Sequence, residues 1–363
     1  MTRAVVHLVE ELGLGGMERV IQRLARAQRQ SGWEVRVLCT CAGGLVADQM
    51  DREQLSVTVL GLNSFHWMAT VPSLARLLRP FRPFFLHTHG AVRAAGRVAG
   101  RLAGADAIIH HLHGTESYRW RQRVFEQSFP ADAYLACSGA VLDQFQRGVG
   151  NLPVEVLYNP VDTDQYRSSH DLHREGRRLL GISDDRPIIL TIGRFVPEKG
   201  QGCLMDAIPS VLDHHPNALF VFIGDGPERE KIEQRGTSHH GSVRFLGRQI
   251  DPLPYLNACD LYVQPSLGRE GLGLAVLEAM ACEKSVVATG VQGLPEAVGR
   301  DGTGVLVPPG DSDALSKAIR DLLDHPKERK ELGLRARERV LSLFSLKVVS
   351  NSLEKVYRRI SGK

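Results

Sequence analysis

Short apolar runs alternate with segments of helical periodicity along most of the chain. In the first half, residues 5–9, 84–89 and 107–111 are almost continuously apolar, and segments with apolar residues three and four positions apart separate them. Strands of that kind are typical of a parallel sheet covered by helices on both faces. The second half repeats the arrangement from residue 187 onward. We therefore predict an α/β fold of two Rossmann-like, doubly wound domains.

A polar, charged stretch at residues 162–185 separates the two halves. We predict an N-terminal domain over residues 1–165 and a C-terminal domain over residues 166–344. A difference in basic residues supports the division, because every lysine lies at or after Lys199 and the first half is basic through arginine alone. In a doubly wound domain, ligands bind at the carboxyl ends of the strands. We expect both domains to present such ends to a shared cleft.

Composition excludes several classes of protein. The 363 residues, 43% hydrophobic and 24% charged, suit a globular protein of two domains. A net charge of +4, without a dense basic face or recognition motif, predicts no nucleic-acid partner. No apolar run approaches the ~20 residues that span a bilayer, and the chain begins as a strand without a signal segment. We expect a cytoplasmic protein.

The cysteines and histidines suggest no metal site. The six cysteines lack metal or redox spacing and are expected to be small buried side chains. In the segment His110-His111-Leu112-His113, adjacent side chains on a strand point to opposite faces. His111 and His113 share a face, but no acidic residue or cysteine stands nearby at metal spacing. We expect no essential metal cofactor.

Two glutamates flank a glycine loop that opens a helix. Glu270 precedes the loop, and Glu278 lies about two turns into the apolar helix that begins near Leu274. A helix start offers unpaired N–H groups and a positive dipole end to an anion. Carboxylates accept hydrogen bonds from hydroxyls, so the arrangement fits a ligand that is both phosphorylated and rich in hydroxyls. A nucleotide sugar is such a ligand.

Two cations follow another strand of the second half. Arg194 and Lys199 occur in the pattern G-R-x(4)-K-G directly after the apolar run 187–192. Arginine offers a planar fork for phosphate oxygens, and lysine adds a compact charge. A phosphate clamp is the functional interpretation, and a surface charge pair is the alternative.

These motifs resemble the donor-binding signature of the retaining GT-B glycosyltransferases in the "glycosyl transferases group 1" family, also called family 4. The resemblance covers most of the chain. It implies that Arg194 and Lys199 clamp the pyrophosphate, that Glu270 holds sugar hydroxyls and that Glu278 holds the ribose. It also implies that a C-terminal helix, residues 345–363, crosses back to the first domain. The remaining donor-binding residues that it implies are Gly15, Gly16, Gly193, Phe245, Leu246, Gly271, Leu272, Gly273 and Leu274.

Two loops of the first half resemble the family's active-site loops. The segment His113-Gly114-Thr115-Glu116 is similar to its H-G-T-[DE] loop, and His89 ends an H-x-H segment in a similar position. The resemblance implies a catalytic set of His113, Arg194, Lys199 and Glu270, with His89, Thr115 and Glu116 on the acceptor side. A loop histidine without chemistry is the alternative for His113.

The resemblance implies transfer, with retention, from a nucleotide-diphosphate sugar to an acceptor hydroxyl, without a metal. UDP- or GDP-sugars are the expected donors, and the acceptor is a sugar, a lipid-linked molecule or a small molecule. We expect a role in the biosynthesis of polysaccharide, glycolipid or small glycosides. Two alternatives remain: a catalytically silent donor-binding subunit of a glycan assembly complex, and a nucleotide-sugar epimerase.

Two basic clusters and two residues that differ from the family pattern lead to further predictions. Basic residues cluster at residues 76–82 and 119–123, the latter around Trp120, either as a solvated helix face or as a peripheral contact with the anionic inner face of a membrane. Glu283 and Ser285 replace a glycine and a proline that the family has there. We expect a cost of ~1 kcal/mol if Glu283 is left-handed.

Overall fold

The computed structural model describes residues 4–362 except 63–66, 83, 115–118, 184, 240 and 300. It divides into two compact units, Met1–Pro160 with Leu346–Lys363 and Val161–Ser345. The boundary at Pro160 precedes the predicted one at residue 165. The backbone explains this position, because the Val161 N–H donates to the Phe344 carbonyl at 2.8 Å and thereby ties Val161 to the second unit.

The first unit contains a parallel sheet in which the described residues form seven strands. Its strands are β1 (Ala4–Glu11), β2 (Glu34–Ala42), β3 (Ser56–Val59), β4 (Phe84–His89), β5 (Ala107–Leu112), β6 (Ala133–Ala136) and β7 (Val154–Val156). Its helices are α1 (Gly16–Gln30), α2 (Leu45–Arg52), α3 (Trp67–Leu78), α4 (Arg93–Ala103), α5 (Trp120–Ser128) and α6 (Gly139–Val149). The strand order is β3-β2-β1-β4-β5-β6-β7, so the direction of winding reverses between β1 and β4.

The second unit contains a parallel sheet of six strands among the residues described. Its helices up to β13 are α7 (His170–Leu180), α8 (Gln201–Leu212), α9 (Arg229–Gly236), α10 (Leu253–Ala258), α11 (Leu274–Ala281) and α12 (Leu294–Val298). Its strands are β8 (Ile188–Ile192), β9 (Leu219–Ile223), β10 (Val243–Phe245), β11 (Leu261–Gln264), β12 (Ser285–Thr289) and β13 (Val305–Val307). The order β10-β9-β8-β11-β12-β13 reverses between β8 and β11. The α/β prediction of two doubly wound sheets is confirmed.

The C-terminal segment contains three helices, α13 (Ser312–Asp324), α14 (Pro326–Arg339) and α15 (Leu346–Ile360), with a π-helical turn at Val340–Phe344. The resemblance implied a C-terminal helix over residues 345–363, and helix α15 covers most of that range. Helix α15 belongs to the first unit. It buries Val349, Leu353, Val356 and Tyr357, which lie on one helical face. The Tyr357 ring stacks on Phe85 at 5.1 Å between centroids.

Helix α7 lies in the stretch that the sequence analysis interpreted as a polar linker. The interpretation missed it because its buried face is not apolar. Gly176 packs so closely on helix α10 that a Cβ atom there would lie 2.2 Å from the Pro254 carbonyl oxygen. The buried Arg177 side chain donates to the Asp260 carboxylate at 3.2 Å. Close backbone packing and hydrogen bonds hold this helix, and a hydrophobic pattern detects neither.

Glu283 and Ser285, which replace a glycine and a proline of the family near helix α11, have different structural effects. Glu283 has a φ of +61°, so the left-handed backbone that we expected is present. Its carboxylate lies 3.8 Å from the Arg337 guanidinium, which partly compensates the cost. Ser285 begins β12, and its hydroxyl donates to the Arg329 carbonyl. The substitution of proline by serine therefore adds a hydrogen bond.

Candidate active site

Arg194 lies directly beyond the carboxyl end of β8. The Gly193 N–H donates to the Ile223 carbonyl at 3.0 Å. Gly224 has a φ of +140°, and a Cβ atom there would lie 1.9 Å from the Gly193 carbonyl oxygen, so the two loops need a glycine to approach. The Arg194 side chain is exposed, and its guanidinium makes no hydrogen bond or ion pair with any residue that the structure describes. It is a cation at the edge of the sheet that has no counter-ion in the described part of the chain.

Lys199 binds Glu270 rather than lying free beside Arg194. Its ammonium donates to both carboxylate oxygens, at 2.9 Å to Oε1 and 2.7 Å to Oε2. The Lys199 side chain is 24% exposed and that of Glu270 is 8% exposed. Gly200 ends the lysine turn with a φ of +66°, and a Cβ atom there would lie 1.9 Å from the Pro265 carbonyl oxygen. The loops after β8 and β11 are therefore packed against each other, and the ion pair joins them.

A chain of hydrogen bonds leads to Glu270 from inside the sheet. The Tyr262 hydroxyl donates to Gln264 Oε1 at 2.9 Å, and Gln264 Nε2 donates to Ser266 Oγ at 2.9 Å. The Ser266 hydroxyl then donates to Glu270 Oε2 at 2.8 Å. Burial raises the pKa of Tyr262 well above its ordinary value, so the phenol stays a donor. Sequence reasoning missed these three residues, although their alternation along β11 places them on one face.

The glycine loop between the two glutamates begins helix α11. Gly273 has a φ of +85° and caps the helix, which begins at Leu274. A Cβ atom on Gly293 would lie 1.9 Å from the Gly271 carbonyl oxygen, so this loop is also tightly packed, and Leu272 is buried. Glu278 is buried on the second turn of the helix. Burial is the main cause of the raised pKa of Tyr262, and the charges of Glu270 and Glu278 add to it.

Phe245 and Leu246, two of the predicted donor-binding residues, lie at the end of β10 and directly after it. The Phe245 ring stacks on Phe222 at 5.0 Å between centroids. The Leu246 N–H donates to the Phe222 carbonyl at 3.0 Å, and its carbonyl accepts from Gln249 Nε2 at 2.7 Å. A carbonyl oxygen has two lone pairs, so the Leu246 carbonyl retains one for a ligand.

The glycine turn after β1 holds a carboxylate. Gly15 caps helix α1, which begins at Gly16. A Cβ atom on Gly15 would lie 2.4 Å from Glu18 Oε2, so the Glu18 side chain folds back over the glycine. Burial raises the pKa of Glu18. Glu18 is thus a carboxylate in the first turn of helix α1.

Four buried histidines and one half-buried histidine, His113, form one cluster in the first unit. They are contributed by β1, β4, β5 and the residue after β5, and they are His7, His87, His89, His111 and His113. Successive rings stack, with His87 and His89 centroids 4.5 Å apart and His111 and His113 centroids 4.1 Å apart. Burial lowers the pKa of His7 to about 4 and that of His113 to about 3. Burial and the neighbouring histidines lower the pKa of the other three as well. The cluster is neutral at physiological pH.

The structure brings together His113, which was predicted to be catalytic, and His89, which was predicted on the acceptor side. His89 Nδ1 lies 2.9 Å from His113 Nε2, within hydrogen-bond distance. Thr115 and Glu116 lie outside the described residues. Sequence reasoning identified His89 and His113 separately, and it missed His7, whose strand lies beside β4 only because of the topology.

Two triads in this cluster have ring nitrogens within 4.8 Å of one another, namely His7 with His87 and His89, and His89 with His111 and His113. The expectation of no metal site considered only His111 and His113. Three histidines alone can hold zinc, but neither triad contains a carboxylate or thiolate, so a divalent cation would be buried there without a counter-charge. Both ring nitrogens of His89 are also engaged in hydrogen bonds. The absence of a metal remains a prediction.

Known families match nearly the whole chain. A model of the glycosyl transferases group 1 matches residues 174–339, and one of glycosyltransferase family 4 matches residues 14–165. A phosphatidyl-myo-inositol mannosyltransferase of Mycolicibacterium smegmatis is 34% identical over 96% of this chain and 91% of its own length. The chain belongs to the glycosyl transferases group 1 family.

Other relatives of this glycosyltransferase act on different substrates. A GDP-mannose-dependent monoacylated alpha-(1-6)-phosphatidylinositol monomannoside mannosyltransferase of Corynebacterium glutamicum is 31% identical over 74% of each chain. The crystal structure of Anabaena HepE in complex with UDP-glucose has a TM-score of 0.88 and 22% identity, covering 98% of this chain and 99% of its own. The structure of WaaG has a TM-score of 0.75. At these identities the solved structures show that the GT-B fold is shared. In the described part of the chain, no helix is long and apolar enough to span a membrane.

Proposed function

We propose that the protein is a retaining glycosyltransferase that moves a sugar from a GDP- or UDP-linked donor to an acceptor hydroxyl. The observation that carries this proposal is the exposed Arg194, which has no ion pair among the described residues, near the Lys199–Glu270 ion pair. Both lie at the strand ends where the winding of the second sheet reverses. A dianionic diphosphate supplies the counter-charge that Arg194 lacks among the described residues. The family membership supports the same reaction class.

The ion pair prepares Lys199 and Glu270 for different parts of the donor. The ammonium of Lys199 has three donors, and two of them point to Glu270. The third is left for a phosphate oxygen, so Lys199 joins Arg194 in neutralising the leaving diphosphate as its negative charge develops. Glu270 accepts from Lys199 and Ser266 and retains lone pairs for sugar hydroxyls. Glu278, which is buried on helix α11, is the proposed partner of the ribose.

Retention follows from a front-face reaction in this proposal. The bond from the anomeric carbon to the diphosphate oxygen breaks, and the acceptor oxygen bonds to the same face. The acceptor proton passes to the leaving diphosphate. Because Glu270 is held by an ammonium and a hydroxyl, it serves as a fixed hydrogen-bond acceptor, and a pair of catalytic carboxylates of the hydrolase type is disfavoured.

The first experiment identifies the donor. We expect one nucleotide class in a thermal-shift panel of UDP-, GDP-, ADP- and dTDP-sugars to stabilise the wild type and not Glu278→Ala. At 100 times the dissociation constant, the ligand adds about 2.7 kcal/mol of stability. GDP-mannose is the leading candidate, since two relatives are named as dependent on it. No shift with any donor would contradict the proposal and favour the silent subunit. Nucleotide release with sugar isomerisation and no transfer would favour an epimerase, and the anomeric configuration of a transfer product tests retention.

We further propose that helix α5 docks on an anionic membrane. Trp120 is 70% exposed and Val124, one turn later, is 52% exposed. The Arg121 guanidinium lies 5.4 Å from the Trp120 ring centre, and Arg123 is also exposed. An exposed apolar face surrounded by arginines is typical of interfacial helices.

Co-sedimentation with vesicles containing phosphatidylserine tests this docking. We expect the triple variant W120A/R121A/R123A to lose binding. A matched control on helix α7 of the second unit, L179A/R174A/R178A, removes the same number of exposed arginines and one exposed apolar residue, and it should bind like the wild type. Equal binding by both variants would contradict the docking role of helix α5.

A further inference from the structure

A chain of four side chains crosses the first sheet and ends at His113. Gln28 Oε1 lies 2.7 Å from His7 Nε2, and His7 Nδ1 lies 2.9 Å from His89 Nε2. His89 Nδ1 lies 2.9 Å from His113 Nε2. Gln28 comes from helix α1, and the histidines come from β1, from β4 and from the position after β5. His113 is thus connected to Gln28 of helix α1 by three consecutive hydrogen bonds.

The hydrogen bonds of this chain have one direction. A neutral imidazole has one donor and one acceptor nitrogen, and all three histidines have a lowered pKa through burial. The Gln28 oxygen can only accept, so His7 Nε2 carries the hydrogen and His7 Nδ1 accepts from His89 Nε2–H. His89 Nδ1 then accepts from His113 Nε2–H. His113 is left with its lone pair on Nδ1, which forms no hydrogen bond with the described residues.

Tyr357 of the C-terminal helix holds Gln28 in the required orientation. The Gln28 amide Nε2 donates to the Tyr357 oxygen at 3.0 Å, and the Tyr357 hydroxyl lies 2.8 Å from His87 Nδ1. Burial raises the pKa of Tyr357, so its hydroxyl keeps its proton to donate to His87. With the amide nitrogen directed to Tyr357, the amide oxygen faces His7.

Asn159 is the competing anchor at the other end of the chain. It lies beside His113 and acts on its pKa. If the Asn159 oxygen accepted from His113 Nδ1–H, every hydrogen bond in the chain would reverse. Among the described residues, however, Asn159 Oδ1 and His113 Nδ1 each lack a well-formed hydrogen bond, whereas Gln28 makes a 2.7 Å one. The geometry therefore favours Gln28 as the group that sets the direction.

We infer that Gln28, His7 and His89 are positioning residues that fix the tautomer of His113. Its Nδ1, which is buried in the structure, then keeps a lone pair that accepts a hydrogen bond from the hydroxyl of a sugar acceptor when that acceptor displaces the groups covering the atom. The role of the acceptor hydroxyl in this inference rests on the proposed function, whereas the tautomer of His113 is a property of the protein alone. The chain of hydrogen bonds orients the His113 ring and does not conduct protons. A proton passed inward from His113 would arrive at the Gln28 amide, which does not take up protons near neutral pH.

Nitrogen-15 NMR of the histidine side chains in the full chain tests this inference, because protonated and unprotonated ring nitrogens have separate shifts. His113→Gln assigns the resonances. We expect His113 to be Nε2-protonated in the wild type and in Gln28→Glu, whose carboxylate can only accept from His7. In Gln28→Leu the anchor is lost, and we expect the His113 Nδ1 resonance to move towards its protonated shift.

Two results would overturn the inference: an Nδ1-protonated His113 in the wild type, or an unchanged tautomer in Gln28→Leu. Gln28→Glu keeps the inference falsifiable if Gln28→Leu does not fold. If the hydrogen bonds of the wild type run in the opposite direction, with His113 protonated on Nδ1, the new carboxylate reverses them and moves the proton of His113 to Nε2. A thermal shift with GDP-mannose, measured on the same samples, separates the two proposals. Its absence from the wild type would count against the proposed donor and leave the tautomer result intact.

Discussion

Each unit of the molecule contains a chain of hydrogen bonds that leads to the carboxyl edge of its sheet. The two chains differ in the charge of their last side chain. In the first unit, Gln28, His7 and His89 lead to the neutral imidazole of His113. In the second unit, Tyr262 begins a chain that leads to the charged pair of Glu270 and Lys199. Both chains hold their last side chain in one orientation, and only the second holds charge.

This difference indicates which part of the reaction each unit serves. A diphosphate carries charge that must be neutralised as the sugar leaves, and Lys199 and Arg194 provide two cations at the edge of the second sheet. An acceptor hydroxyl is neutral and needs an oriented hydrogen-bond partner. A neutral, half-buried histidine such as His113 meets that need without attracting the phosphates.

The first unit should be selectively labile in acid. An unfolded histidine titrates near 6.5, whereas burial lowers the pKa of His7 to about 4. The unfolded state therefore binds more protons below pH 6.5, and the stability present above that pH is lost as the pH falls towards 4. The loss is up to about 1.4 kcal/mol per pH unit for each such histidine.

Hydrogen exchange followed by mass spectrometry at pH 7 and pH 5.5, corrected for intrinsic rates, measures this effect in each unit. We expect β1, β4 and β5 to lose more protection than β8, β11 and β12. The described histidines of the second unit are all at least partly exposed, which makes it the internal control. An equal loss in both units would contradict the contrast.

Removing the charge of Lys199 should harm stability and activity together. Lys199→Met leaves the Glu270 carboxylate buried without its cation, at a cost of about 3 kcal/mol. We expect turnover to fall by roughly 10²–10³, the usual cost of losing one stabilising group at a developing charge. Chemical denaturation and nucleotide-release assays measure the two effects.

The double variant Lys199→Met/Glu270→Gln separates these contributions. It removes the whole ion pair, so we expect most of the stability to return while turnover stays low. Recovery of turnover would show that the pair is structural and would weaken the charge contrast.

Replacing His111 should stabilise the first unit. Both of its ring nitrogens are buried without a hydrogen-bond partner among the described residues. Leucine removes those polar atoms, and the expected gain in unfolding free energy is about 1–2 kcal/mol, with a weaker pH dependence below pH 6.5. A destabilised His111→Leu would show that a ligand or ordered water satisfies this ring and that the cluster is more polar than we infer.

The smallest effect concerns Glu283. Glycine adopts its left-handed backbone without strain, so Glu283→Gly should stabilise the second unit by about 0.5–1 kcal/mol after loss of the Arg337 contact. Thermal unfolding measures the change, and turnover should not alter. Glu283→Ala, which keeps the strain, is the control and should not be stabilised.

The fold was predictable because its determinants are local. Apolar runs such as those of β8 and β11 predict buried strands, and Arg194, Lys199 and Glu270 follow them directly. The ion pair was not predictable in the same way. The sequence analysis assigned Lys199 to the phosphates and Glu270 to the sugar, and only the packing of the two loops shows that the side chains bind each other.

The histidine cluster was even harder to predict from the sequence than the ion pair. His7, His87 and His111 are far apart in the chain and become neighbours because β1, β4 and β5 are adjacent in the sheet. Spacing along one strand could not reveal this, and strand order is a long-range property. Tyr357 reaches the same cluster from the last helix of the chain.

Calorimetric titration of the donor identified by the thermal-shift panel, into variants of both units, tests the division of roles most directly. We expect Arg194→Met to weaken donor affinity by at least about tenfold, since a charge-assisted hydrogen bond contributes about 1.5–3 kcal/mol. His113→Gln should bind the donor within about twofold of the wild type, well below the 1.4 kcal/mol that a tenfold change represents. Weakened binding in His113→Gln with unchanged binding in Arg194→Met would contradict the account.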